Sequence, residues 1–395
     1  MPLLRWLNFV PFGSAYAFVC ACSALANLIR DGEIFLVKFF FARGGVRIQS
    51  EKFATMIIHT IAYPRAGLIG NPSDGYFGKT IAFAFRNFSA QIELWESPEL
   101  ELLPSRRDHS VFKSLGSLHS DVKLHGYYGG FRLLKAAAKA FYDYCQGRGI
   151  ALGEKNFTMR YKSDIPNRVG LAGSSALITA CIRGLMGFYG VTISRHSLAN
   201  LVLSVENHEL GIPAGLQDRV AQSYQGLVFM DFDRKLIEGR GYGNYEMLDP
   251  AKLPPVYIAY REDLSEGTEV YHNDLRARWQ RGEPEVIEAI AFWAGLTVTF
   301  REALEAGDRA AMHRVMNANF DKRASLYDVG DGNRAMVAAA RGTGASAKFA
   351  GSGGAIVGIY DDEAMFAQLE KVFTPMGIRV IKPDLAPVIL NGEHP

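Results

Sequence analysis

The sequence predicts an α+β protein of two domains, and three observations carry that reading. Residues 156–163 alternate as a strand does, enter a glycine-rich turn, and continue into 177–189, which is apolar at helical spacing and free of proline. Residues 56–63 form a second strand-like run, joined by a loop rich in glycine and proline to a third at 81–88. Beyond residue 235, two long helical stretches at 283–305 and 308–326 accompany short strand-like runs at 254–260 and 379–383. Two helices packed on a small sheet suit that half. The expected division is an extension at 1–55, a first domain at 56–235 and a second at 236–395.

The chain has 395 residues, 48% hydrophobic and 21% charged, so it has ample material for a core. Its net charge of +2 gives no electrostatic footprint for a nucleic-acid partner. No internal repeat or run of like charges stands out. The four cysteines, Cys20, Cys22, Cys145 and Cys181, match neither a disulfide framework nor a zinc site. Two of them in the main body suit a reducing compartment, and a cytoplasmic location is expected. Oligomeric state is not readable.

Residues 1–55 differ from the rest. The mostly apolar run from Leu7 to Ile29 has the length of a membrane helix, and Arg5 with the small residues 21–24 gives it a signal-like aspect. Asn8, Pro11 and Ser14 weaken the spanning reading. Met56 is followed at once by a good strand, so the preferred reading is that the fold starts there and 1–55 lies outside it. A membrane or export segment, and a genuine part of the fold, are the alternatives.

The stretch from Asp164 to Ala176 is the chemical centre. Gly170 and Gly173 allow backbone angles forbidden to other residues and let a large anion approach the main chain. Ser174 and Ser175 open the following helix, whose first N–H groups point outward with a partial positive charge. Together these make an anion site for which a phosphate is the natural guest. Taken alone, the same turn is equally a strand–helix connection that binds nothing.

The loop between the first two strands, residues 63–80, places Arg65 and Asp74 where binding groups are commonly found. Gly78-Lys79-Thr80 imitates the end of a nucleotide P-loop. However, position 73 is serine rather than glycine, and strand rather than helix follows. Residues 94–126 are polar and read as irregular; His109, His119 and His125 there match no metal spacing. A helix is expected from Tyr127 to Gln146 and another from Ser197 to Leu210, which carries Glu206 and Glu209. The turn at 211–217 leads to Asp218 and Arg219 at a helix start, where an isolated acid would simply favour the helix dipole. Residues 226–232 read as strand and the charged stretch 233–245 as loop. Gly342-Thr343-Gly344 imitates a dinucleotide fingerprint but follows a helix and precedes a strand, the reverse of that motif's context.

Three glycine-rich stretches thus stand in order: Pro64-Arg65-Ala66-Gly67-Leu68-Ile69-Gly70-Asn71-Pro72-Ser73-Asp74, then Pro166 with Gly170-Leu171-Ala172-Gly173-Ser174-Ser175-Ala176, then Lys348-Phe349-Ala350-Gly351-Ser352-Gly353-Gly354-Ala355. From residue 56 onward this resembles the GHMP kinase superfamily. With residues 214–222 and 319–321, it is most similar to the glucuronokinase branch. The resemblance implies a ribosomal protein S5 domain 2-like N-terminal domain and a ferredoxin-like C-terminal domain, with ATP and Mg²⁺ as cofactors. By the same resemblance, Pro166 and Gly170 through Ala176 wrap the ATP phosphates. Ser175 and Glu206 hold Mg²⁺, with Glu209 as a second choice for the metal. Asp218 lies by the phosphoryl acceptor and Arg65 by the γ-phosphate. Asp74, Gly75, Tyr76, Arg219, Gly351, Ser352 and Gly353 are assigned to the substrate. The middle motif departs from the family at Ala172 and carries one extra residue before the serines.

The expected activity is ATP-dependent phosphorylation of the anomeric hydroxyl of a sugar acid, glucuronate to glucuronate 1-phosphate. Another sugar of heptose, fucose or galactose type, and a catalytically silent relative, are the alternatives. A substrate carboxylate needs a cation, and Arg219, Arg323 and Lys322 are the candidates.

Overall fold

In the computed structural model, residues 24–30, 33–42, 45–53, 57–105, 108, 113–116, 129–262 and 275–388 are described. The chain divides into two compact units, Met1–Met56 and Ile57–Pro395. In the first, β1 (Ala24–Arg30), β2 (Glu33–Ala42) and β3 (Gly45–Phe53) form an antiparallel three-stranded sheet in chain order. The apolar run expected at 7–29 therefore includes part of a strand, and residues 7–23 lie outside the described ones. Among the described residues no helix is long and apolar enough to cross a membrane. His109, His119 and His125 also fall outside them.

The second unit is built on three four-stranded sheets. One has the order β4–β7–β9–β8, from β4 (Ile58–Ala62), β7 (Ala90–Ser97), β8 (Glu101–Leu103) and β9 (Asn156–Ser163). Another has the order β11–β10–β6–β5, from β5 (Arg65–Ile69), β6 (Lys79–Ala84), β10 (Leu227–Asp231) and β11 (Asn244–Leu248). Against these lie α1 (Gly130–Gln146), α2 (Gly173–Tyr189), α3 (Arg195–Ser204) and α4 (Gln217–Tyr224). Buried residues face every side of α2, from Ala176 through Met186, so its apolarity all round is that of a central helix.

The third sheet joins β12 (Val256–Tyr260), β13 (Lys348–Phe349), β14 (Ala355–Ile359) and β15 (Arg379–Ile381) in the order β13–β14–β12–β15. The helices α6 (Pro284–Ala306), α7 (Arg309–Leu326) and α8 (Asp331–Gly342) cross between β12 and β13, and α9 (Glu363–Phe373) crosses between β14 and β15. This is the β-α-β-β-α-β order of a ferredoxin-like layer. The halves share one core: Phe300, Leu304, Met316 and Val357 belong to the same apolar cluster as Phe83, Ile178 and Leu227. The chain end also returns to the first half, where the Ala386 amide donates to the Ala84 carbonyl at 2.8 Å.

Several local expectations are corrected. The strand expected at 81–88 is β6, Lys79–Ala84, and the chain turns before β7. Residues 94–103, expected irregular, contain the end of β7 and the short parallel strand β8. The loop expected at 233–245 contains α5 (Arg234–Arg240), capped by Asp233, whose Oδ1 accepts from the Lys235 and Leu236 amides. The helix expected to reach Leu210 changes at Val205 into a π-helical turn, Val205–Glu209.

Candidate active site

The glycine-rich stretches converge on one arginine. Arg65 opens β5 and is 5% exposed. Its Nε donates to Asp218 Oδ1 at 2.6 Å, and its Nη1 donates to the carbonyls of Gly170 at 2.6 Å and Ala350 at 3.3 Å. Its own amide donates to the Leu171 carbonyl at 3.2 Å. One side chain therefore ties the first stretch to the second, the third and Asp218. The fork of the guanidinium makes this possible, since a point-like ammonium could not serve all three directions.

The middle stretch forms the start of α2. Gly170 has φ +70° and Ala172 has φ +63°, both left-handed. Ala172 pays a steric penalty that glycine would avoid. It is held there by its carbonyl, which accepts from Ser175 Oγ at 3.2 Å, from Gln222 Nε2 at 2.8 Å and from the Ala176 amide at 3.1 Å. No side chain caps α2. The helix dipole favours an anion at this end. Pro166, Leu171, Ser175 and Ala176 are buried, while Gly170, Ala172, Gly173 and Ser174 are partly exposed along the loop.

The third stretch closes over the second at very short range. A methyl on Gly351 would lie 2.1 Å from the Gly170 carbonyl oxygen, and one on Gly170 would lie 2.8 Å from the Ser352 nitrogen. Arg323, on α7, steadies this turn: its Nη1 donates to the Gly351 carbonyl at 2.8 Å and its Nη2 to that of Ser352 at 3.1 Å. Gly353 has φ +151°. Lys348 is buried and donates to the carbonyls of Gly67 and Phe349, both at 2.6 Å. Burial, reinforced by Arg323 and Arg65, holds its ammonium well below the usual lysine range. Lys348 thus locks the third stretch to the first, and Arg323 ties it to α7.

A carboxylate cluster adjoins Arg65. Asp218 and Arg219 follow Gln217 at the start of α4. Burial would raise the Asp218 carboxyl, but the Arg65 and Arg219 guanidiniums outweigh it and hold the group below the usual aspartate range. Asp74, on the 3₁₀ turn Ser73–Tyr76, accepts from the Gln217 amide through Oδ2 at 3.4 Å. Removal from water, with the Asp218 charge beside it, pushes Asp74 up to about 6. Gly215 is required here, because a methyl at that position would meet Asp74 Oδ2 at 2.1 Å. Gly75 is exposed and Tyr76 is buried beneath the loop.

Glu206 sits on the π-helical turn, a distortion that re-aims a side chain and recurs at functional sites. Its Oε2 accepts from both Nε (2.6 Å) and Nη2 of Arg219, and Oε1 accepts from no side chain or amide among the described residues. Arg219 also donates to the Gly215 carbonyl at 2.8 Å and pairs with Asp218 at 3.3 Å. It is therefore engaged inside the protein. Burial raises the Glu206 carboxyl, with Arg219 opposing. An oxygen-only pair, the Ser175 hydroxyl and the free Glu206 Oε1, fits Mg²⁺, which takes one or two protein oxygens and completes its shell with phosphates and water. No cluster of three His, Cys, Asp or Glu side chains that could hold a metal occurs among the described residues. Glu209 is turned away to pair with Lys139 at 2.7 Å.

Gln217, Lys348 and Asn319 were not picked out by sequence as site residues. Asn319 Oδ1 accepts from the Gly70 amide at 2.7 Å and its Nδ2 donates to the Asn71 carbonyl at 3.0 Å, fixing the first loop from α7. The signal for it was faint, a polar residue on the apolar face of a long helix. Lys322, a candidate cation, has its carbonyl engaged by Ser325 Oγ at 2.8 Å.

This geometry has relatives. The family model "GHMP kinases N terminal domain" matches residues 132–226. The chain is 44% identical over 303 residues to probable glucuronokinase 2 of Arabidopsis thaliana, covering 75% of this chain and 82% of that protein. It is 39% identical over 357 residues to glucuronokinase 1 of the same plant, covering 88% and 97%. Among solved structures, the galactokinase of Lactococcus lactis complexed with galactose superposes with a TM-score of 0.65 at 17% identity, covering 83% of this chain and 93% of that one.

Proposed function

We propose that this protein, which belongs to the GHMP kinase family and is an ATP-dependent kinase similar to the glucuronokinases, phosphorylates the anomeric hydroxyl of glucuronate. The observation that carries the reading is Arg65, which holds the phosphate-loop carbonyl of Gly170 with one nitrogen and the Asp218 carboxylate with another. Donor and acceptor subsites then meet at a single cation, as an in-line transfer requires.

In this reading the uncapped start of α2 and the loop from Gly170 to Ala176 receive the ATP phosphates. Asp74 and Asp218 receive sugar hydroxyls. The bond from γ-phosphorus to the ADP oxygen breaks as the bond to the anomeric oxygen forms. In a loose transition state the acceptor hydroxyl loses its proton late, so a carboxylate of low basicity is adequate. Asp218, kept ionised by Arg65 and Arg219, orients that hydroxyl and takes its proton, while Arg65 offsets charge near the transferring group. Ser175 and Glu206 would hold Mg²⁺, whose chemistry is to neutralise phosphate charge. Arg219 positions Glu206 for that role.

The test is ATP consumption by the purified protein with a panel of sugars and sugar acids, with the product identified by phosphorus NMR. The expected result is a 1-phosphate from glucuronate. ATP use with neutral sugars alone would end the sugar-acid reading, and no ATP use with any sugar would favour a silent relative.

A further inference from the structure

A uronate carries a carboxylate at the end of the ring remote from the anomeric hydroxyl, and most cations of the cleft are already engaged. Arg65 serves Asp218 and two carbonyls, Arg219 serves Glu206, Asp218 and Gly215, Arg323 serves Gly351 and Ser352, and Lys348 serves Gly67 and Phe349.

Two further arginines lie beside the same loop: Arg234, which stacks over the Phe77 ring at 4.3 Å and pairs with Glu238 at 3.6 Å, and Arg276. The short helical turn at 275–280 packs over Tyr76. Leu275 is 2% exposed and shares an apolar cluster with Tyr76, Val286 and Trp293. Trp279, one turn on, has its ring 5.5 Å from Tyr76 and 6.2 Å from Phe77. Leu275 and Trp279, four residues apart, therefore form the covering face. Arg276 is adjacent to that face and half-buried. Nearby arginines are spent elsewhere: Arg278 on Glu283, Glu285 and the Leu326 carbonyl, and Arg281 on Glu283. Arg276 makes no ion pair or hydrogen bond among the described residues. Burial raises the Tyr76 phenol, and the charge of Arg276 opposes that rise. Among the described residues, then, no acid pairs with Arg276, which lies beside the turn that carries Tyr76 and Asp74.

We infer that Arg276, together with the Tyr76 hydroxyl, receives the carboxylate of the sugar acid and determines specificity for it. This rests on the sugar-acid reading above. A half-buried guanidinium with no acid partner among the described residues is poised for a planar carboxylate, which it can bind in bidentate fashion. Tyr76 and Asp74 share one 3₁₀ turn, so hydroxyl and carboxylate recognition are held by the same short element.

The experiment compares the full-length protein with Arg276→Gln and Arg276→Lys, using glucuronate and its uncharged carboxamide, glucuronamide. Loss of one charge-assisted pair should raise KM for glucuronate about 10- to 100-fold in Arg276→Gln. KM for ATP should stay within about twofold, and Arg276→Lys should recover part of the loss. The preference of the wild type for glucuronate over the carboxamide should collapse in Arg276→Gln. A wild type that phosphorylates glucuronate beside an Arg276→Gln variant with unaltered KM for it would overturn this inference and leave the sugar-acid reading standing. A wild type active only on neutral sugars would remove both. Thermal unfolding of each variant separates a folding defect from a binding one.

Discussion

Arg65 Nε and Asp218 Oδ1 meet at 2.6 Å across 153 residues of sequence, with both side chains largely withdrawn from water. Through Arg65 the glycine-rich turn at Gly170 is tied to the start of α4, and the pair sets the first prediction. Asp218→Asn should lower kcat by about 10²- to 10⁴-fold with little change in KM for ATP. Arg65→Lys should lose about 10²-fold or more, because an ammonium cannot reproduce the fork. As the two act as a unit, the double variant should cost little more than the worse single one. Steady-state kinetics of the three variants decide it; simple additivity would mean that the residues act separately.

The elevated Asp74 carboxyl predicts an acid limb. If Asp74 receives sugar hydroxyls as proposed, it must be ionised to accept from them, and burial beside Asp218 pushes its carboxyl up to about 6. Below that value kcat/KM for the sugar should fall by about tenfold per pH unit, as for one essential deprotonated group. Asp74→Asn should lower the plateau and abolish the limb. For stability the sign is the reverse of the usual aspartate: the folded state binds the proton more tightly than the unfolded one. Stability therefore declines as pH rises from about 4 to about 6, then levels off. Urea titrations across that window, on wild type and Asp74→Asn, measure it.

Gly351 is predicted to be irreplaceable. A single methyl there would overlap the Gly170 carbonyl oxygen at 2.1 Å. Gly351→Ala should cost about 1–3 kcal/mol of stability through overpacking and should raise KM for ATP by displacing the loop. Calorimetry and an ATP titration are the checks; a variant that binds ATP normally would show that the loop yields without consequence.

The metal assignment is tested through the free oxygen of Glu206. Glu206→Gln removes the proposed anionic ligand, and Arg219→Lys loosens the two-nitrogen hold on its Oε2. Each should raise the Mg²⁺ concentration for half-maximal rate about 10- to 100-fold. An unchanged Mg²⁺ requirement in Glu206→Gln would assign the metal elsewhere.

The compactness of Ile57–Pro395 predicts that a chain beginning at Met56 folds and turns over by itself. Its specific activity should lie within about twofold of the full chain, since every residue of the cleft lies beyond that point. An insoluble or inactive Met56–Pro395 would make residues 1–55 part of the working fold.

The glycine stretches were legible in the sequence because their chemistry is local. Left-handed turns, a helix start and two serines lie within a few residues of one another. In the second half, two helices on a small sheet were legible from helix and strand periods, while the ferredoxin-like order was what the family resemblance implied. What the sequence hid was long-range: Asn319 reaching back to Gly70, Lys348 donating to Gly67, and Arg323 supporting Gly351. The alternation of Ala90–Ser97, with inward residues Ala90, Ile92 and Leu94, was available, but its second half read as part of the irregular stretch that begins at residue 94. The stretch 233–245 read as loop because its charges masked a short helix begun by the Asp233 cap. Arg276 was missed because a half-buried guanidinium and a surface one look alike in sequence.

Arg65 is made early on the ribosome, and its last carbonyl partner, Ala350, is 285 residues downstream. The strand edge at Ala84 is completed only by Ala386, nearly at the end of the chain. A nascent chain can therefore form the glycine-rich turn at 170–173 but cannot fasten Arg65 beside it. Any ATP turnover must wait until synthesis is almost complete, so a prematurely terminated product is silent rather than a weakly active kinase with relaxed choice of acceptor.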